Sequence, residues 1–133
     1  MPIIKRLADV PHPARYAHAV VATGPLAFVA GQVALDAEGE LVGEGDLAAQ
    51  ASQALRNLQT VLRELGAGWG DVVRLTWYVA DVTEIQTLRD VIEGFLRPAL
   101  GEQHNPASTL IEAAALFRPD VLVEVDAVVA LPA

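Results

Sequence analysis

The run at residues 121–131 restricts the fold more than any other part of the chain. One alternate set there is Val121, Val123, Val125, Ala127 and Val129; the other is Leu122, Glu124, Asp126, Val128 and Ala130. Successive side chains of a strand point to opposite faces, so this strand is apolar on both faces apart from two carboxylates that share one of them. Such a strand needs cover on both sides of its sheet. Carboxylates on a covered face cost several kcal/mol unless paired, hydrogen-bonded or protonated. Glu124 and Asp126 therefore mark either a site or interface, or an edge strand whose second face is wet.

The rest of the sequence supplies cover for one side. Leu47, Ala51, Ala54, Leu55, Leu58, Val61, Leu62 and Leu65 recur at spacings of three and four, the stripe of an amphipathic helix, with Asp46 as N-cap and Gly66 just past its end. A second stripe, Ile85, Leu88, Ile92, Phe95 and Leu96, follows a Thr83-Glu84-Ile85-Gln86 capping-box pattern and runs to Pro98. Between them residues 71–80 alternate with period two, Val73, Leu75, Trp77 and Val79 opposing Val72, Arg74, Thr76 and Tyr78. Runs 16–22 and 26–33, joined at Thr23-Gly24-Pro25, and runs 107–116 and 121–131 also read as strands. The order ββ-α-β-α-ββ predicts an α+β fold: one mixed sheet with two helices on one face.

Nothing in that inventory covers the other face. Hydrophobic residues make up 53% of the chain and charged ones only 20%, with a mean hydropathy of +0.35, which is apolar for a small soluble protein. A membrane span needs about 18 consecutive apolar residues, and every apolar run here is broken sooner. The first nine residues lack the apolar core of a secretory signal, so a cytoplasmic location is expected. The excess apolarity is best explained by packing against other copies of the chain. At 133 residues one domain, 1–133, is expected, with a core large enough to stand without metal or disulfide.

Several chemistries are set aside by composition and motif. Nine Lys and Arg against 17 Asp and Glu give a net charge of −8, and Lys5/Arg6 is the only adjacent basic pair, so no nucleic-acid partner is expected. With no cysteine there is no thiolate chemistry and no Cys-based metal site. Phosphate-loop, dinucleotide and His-Glu-x-x-His motifs are absent. His12, His18 and His104 are far apart in sequence, so no metal and no cofactor are expected. Ser52 and Ser108 lack the surroundings of a nucleophile elbow.

Tyr16-Ala-His-Ala-Val20, Phe28-Val-Ala-Gly-Gln-Val33, Gln50, Asn57-Leu58, Leu65-Gly66-Ala67, Asp71-Val-Val-Arg74 and Asp81 stand in the order and spacing of the Rid, or YjgF-type, family. The block Pro106-Ala-Ser-Thr-Leu110, with Leu116 and Val123-Glu-Val-Asp-Ala127, resembles the same family's C-terminal signature. No single piece is specific; together they span roughly residues 14–130. The resemblance implies a chorismate-mutase-like fold, related to the ferredoxin-like class, assembled as a homotrimer with clefts between subunits. It also implies hydrolysis of small enamines and imines to keto compounds and ammonia. Carried over, Glu124 positions water and moves protons. Tyr16, Gly31 and Gln32 line the cleft, and the backbone of Thr109 and Leu110 contacts the ligand.

The chain departs from that pattern at one charged position. In the deaminase branch an arginine directly follows Pro-Ala and clamps the substrate carboxylate; here Pro106-Ala107 is followed by Ser108. Serine supplies neither fixed charge nor a bidentate fork. Ala30 replaces the usual serine before Gly-Gln, and Arg89 stands where asparagine is common. Three readings follow. Arg89, Arg15 or Arg118 supplies the missing cation, with His18 or His104 assisting; or the ligand lacks the carboxylate and meets Ser108, Thr109 and Glu124; or the protein is a non-catalytic ligand-binding or chaperone-like trimer.

Overall fold

The computed structural model describes residues 4–7, 16–102 and 104–132. Eight principal elements follow in chain order: β1 (Ile4–Leu7), β2 (Ala19–Ala22), β3 (Leu26–Gln32), α1 (Leu47–Glu64), β4 (Val72–Val79), α2 (Ile85–Leu100), β5 (Ala107–Glu112) and β6 (Val123–Ala130). The main sheet is mixed, with strand order β3-β6-β4-β5. β4 and β5 are parallel, as strands joined by a crossover helix must be, and β6 runs antiparallel to both its neighbours. The expected α+β layout, with both helices on one face, is what the chain adopts.

At the N-terminus the fold differs from the sequence reading. β2 is shorter than the expected 16–22 and pairs with β1, a strand the periodicity did not reveal, in a separate two-stranded sheet. β3 pairs with β6 at the other end of the chain. Residues 16 and 17 turn away from β2: the Ala17 amide donates to the Pro106 carbonyl, continuing the main sheet beyond β5. The expected strand 107–116 stops at Glu112, after which the chain loops to β6.

α1 follows its sequence signals closely. The Asp46 carboxylate accepts from the Ala49 amide, and Gly66 takes φ +72°, the left-handed conformation that favours glycine after a helix. α2 does not. Its expected capping box is absent; instead the Asp81 carboxylate accepts from the amide and hydroxyl of Thr83 and caps a 3₁₀ turn, Val82–Glu84, that leads into the helix. Those bonds hold the Asp81 carboxyl below its usual range. Pro98 sits inside the last turn rather than ending the helix. No helix among the described residues is long and apolar enough to cross a membrane.

Between helices and sheet lies the core: Ala51, Leu55, Leu58 and Leu62 of α1 and Leu88 and Leu96 of α2 pack on Leu75, Trp77, Val123, Val125 and Val129. β6 is a central strand, which removes the edge-strand explanation for its two carboxylates. The opposite sheet face carries no helix. Pairing register places Phe28, Val128 and Arg74 in one row across it, Asp126, Thr76 and Thr109 in the next, and Glu124, Tyr78 and Ile111 in a third. Phe28 leaves 77% of its surface exposed there, and Leu26 and Ile111 are exposed as well.

Candidate functional site

Two groups of candidate residues arise, one on each side of the sheet. On the helix side a groove of about 780 Å³ opens between α2 and the β4–β5 edge, lined among others by Tyr16, Arg89, Ser108 and Leu110. Ser108 and Leu110 reach it because β5 registers them beside Leu75 and Trp77, the residues of β4 that face the helices. Arg89 comes from α2, and Tyr16 from the segment that pairs past β5, where its ring meets that of His18 edge-on with centroids 5.1 Å apart.

Polar groups around this groove are largely committed to one another. Gln86 donates to Asp90 at 2.9 Å, and Glu93 pairs with Arg97 at 2.6 Å. Arg97 also donates to the Gly101 carbonyl and to Asn105, tying the end of α2 to the loop before β5. Arg89 makes no ion pair among the described residues, so its charge is available to a ligand.

Across the sheet, Glu124 lies against Gly31. A Cβ built on Gly31 falls 2.1 Å from the nearer Glu124 carboxylate oxygen, so only glycine lets the two approach. This closeness follows from the irregular register of β3 between Val29 and Gln32. The Gln32 side chain does not join Glu124; its amide donates back to the Ala30 carbonyl. Tyr78 donates to Asp126 at 2.9 Å, and that bond, followed by desolvation, raises the phenol's pKa above its ordinary value.

The expected site residues thus fall into two clusters: Tyr16, Arg89, Ser108 and Leu110 in the groove, Gly31 and Glu124 on the open face. Thr109, between Ser108 and Leu110 in sequence, points to the open face and accepts from Arg74 at 3.0 Å. One chain does not bring Ser108 and Glu124 together. Arg118, a candidate for the missing cation, is engaged instead in a forked pair with Asp120 at 2.6 and 2.9 Å. That pairing raises the pKa of Arg118 and lowers that of Asp120. Arg15 and His12 lie outside the described residues, and His104 is exposed.

Sequence reasoning passed over Arg74, a cation on the same face as Glu124. Alternation had put Arg74, Thr76 and Tyr78 on one face; only pairing register adds Thr109 and Asp126 beside them. Among the described residues no group of three or more His, Asp or Glu is placed to hold a metal ion.

Comparison with known proteins bears on the chemistry. The family described as Endoribonuclease L-PSP matches residues 8–131. A RutC family protein of Synechocystis is 38% identical over 131 residues, covering 97% of this chain and 96% of the relative. The 2-iminobutanoate/2-iminopropanoate deaminase of Salmonella typhimurium is 32% identical over 108 residues, 79% of each chain. Among solved structures, a Yersinia pestis protein of the Rid family, described as of unknown function, superposes with a TM-score of 0.86 at 35% identity, covering 96% of this chain and 98% of that one.

Proposed function

Because this chain belongs to the Endoribonuclease L-PSP family, also known as the Rid or YjgF family, we propose that it hydrolyses small enamines and imines to keto compounds and ammonia. The site is shared between copies of the chain. One copy supplies the groove with Tyr16, Arg89 and Ser108, and a neighbour supplies Glu124 beside Gly31. Assembly as a homotrimer, open sheet faces turned inward, covers Phe28, Leu26 and Ile111. The observation that carries this reading is the placement of Ser108 and Glu124 on opposite faces of one sheet, since a site using both needs a second copy. Deaminase relatives at 31–32% identity support the reaction class.

An imine already reacts with water, so few groups are needed. Arg89 holds the substrate's negative group in the groove, as guanidinium groups hold carboxylates, and the Thr109–Leu110 backbone orients the imine end. Starting from the protonated imine, water oxygen bonds to carbon as the Glu124 carboxylate takes one water proton. Glu124 returns that proton to nitrogen, the C–N bond breaks to free ammonia, and the ammonia takes the hydroxyl proton as the carbonyl forms. One protonated imine and one water are consumed; one keto compound and one ammonium ion are released. Glu124 ends as it began.

Incubation with a dehydratase that releases 2-aminoacrylate, following pyruvate and ammonia, tests the reaction. Acceleration over buffer is expected, and a folded assembly that accelerates none of several amino-acid-derived imines would leave a ligand-binding protein instead. General-base loss typically costs on the order of 10²-fold, which is the effect expected of Glu124→Gln. Glu112→Gln is the control: the Glu112 carboxylate accepts from the Val82 amide on the helix side, and its amide replacement keeps an acceptor there.

A further inference from the structure

The open sheet face divides by charge down its middle. Among the described residues its β3–β6 half carries Glu124 and Asp126 and no cation, while its β4–β5 half carries Arg74 and no anion. Each half also exposes apolar surface, Leu26 and Phe28 on the acidic side and Ile111 on the cationic side. Within one chain Arg74 and Asp126 are bonded only to neutral groups. Arg74 donates from Nη2 to the Thr109 hydroxyl at 3.0 Å, and Asp126 accepts the Tyr78 hydroxyl on Oδ2 at 2.9 Å. Nε and Nη1 of Arg74 and Oδ1 of Asp126 make no bond among the described residues, and the two charges are not paired with each other.

A site shared between copies sets the β4–β5 edge of one copy, with Ser108, against the β3–β6 half of the next, with Glu124 beside Gly31. We propose that the same approach pairs Arg74 of one copy with Asp126 of the next, so that the face is self-complementary head to tail and its partner is a second copy of this chain. Head-to-tail contacts that close on rotation make a ring. Copies that each carry a net charge of −8 repel one another at long range, and covering Arg74 or Asp126 without an opposite charge is costly. One guanidinium set against one carboxylate at every contact answers both. Glu124 is taken up by the shared site, which leaves Asp126 as the carboxylate of that half. Close charge pairs across an interface fix its register and reject wrong pairings. The inference rests on the assembly proposed above and not on the reaction.

Sedimentation equilibrium of the full-length protein measures the pairing, with circular dichroism to confirm that each variant folds. Arg74→Glu and Asp126→Arg each set like charges against each other, and each is expected to weaken assembly by about tenfold or more. The two single variants mixed in equal amounts assemble again, because each offers the charge that the other lacks, and the double variant recovers most of the parent's affinity. Where charge reversal unfolds a variant, Arg74→Met and Asp126→Asn decide, since asparagine keeps an acceptor for Tyr78. For a pair in contact their combined loss is no larger than either alone, whereas independent losses add. The readout is mass, so it holds whether or not any imine is hydrolysed. An assembled parent whose variants assemble as tightly, whose weakened variants recover in neither the mixture nor the double variant, or whose milder losses add, overturns the pairing and leaves the shared site standing. A monomeric parent overturns both.

Discussion

Gly31 and Glu124 show how one missing atom sets a carboxylate. A methyl group on Gly31 would fall within 3.0 Å of three atoms of the Glu124 side chain, but those atoms are the mobile end of a flexible group, so the backbone need not give way. Gly31→Ala is therefore expected to keep its melting temperature within a few degrees and to lose about tenfold or more in kcat, because a displaced base no longer meets its water. Tyr78 makes a second residue-scale prediction. Its hydrogen bond to Asp126 raises the folded phenol's pKa, so the stabilisation is complete below the ordinary tyrosine value of about 10 and is lost as pH climbs through the higher folded value. Urea midpoints measured from neutral to alkaline pH should fall more steeply in the parent than in Tyr78→Phe.

At the scale of elements, two of the residues that carried the family resemblance are anchors of backbone rather than of ligand. The buried Gln50 side chain donates to the Gly43 and Asp120 carbonyls and accepts from the Leu122 amide, fastening α1 to the loop that enters β6. Asn57 donates to the Val33 and Leu35 carbonyls just after β3. Each buried polar group left unpaired costs about 1–3 kcal/mol, and Gln50→Leu strands three of them. Denaturant unfolding should show a loss on the order of 3 kcal/mol with the m-value unchanged. α1 was legible in the sequence because Asp46, its apolar stripe and Gly66 are local signals. β1 was not, because four residues show little periodicity, and β2 pairs back with β1 rather than onward with β3. The cap of α2 was misread because Asp81, two residues earlier, caps the 3₁₀ turn that leads into the helix, and Thr83 donates its amide and hydroxyl to Asp81. The candidate site was legible residue by residue, but its division between two faces was not, since Ser108 faces the helices only through its register with Leu75.

For the whole molecule, the strand at 121–131 posed the question that the fold answers by half. Helices cover Val123, Val125, Ala127 and Val129; Phe28, Leu26 and Ile111 stay exposed on the other face. Phe28→Glu places a charge in the middle of that apolar row. In the proposed assembly it should sediment as a monomer with unchanged circular dichroism and lose activity along with its neighbours. The most direct measurement is subunit complementation. Arg89→Ala and Glu124→Gln proteins, each strongly impaired alone at low substrate, are dissociated, mixed in equal amounts and allowed to reassociate. If the groove of one copy meets Glu124 of the next, random assembly leaves about a quarter of the sites with both residues intact, and imine hydrolysis returns to that fraction of the parent rate. A mixture as inactive as its components, with mixed assemblies confirmed, would contradict a shared site.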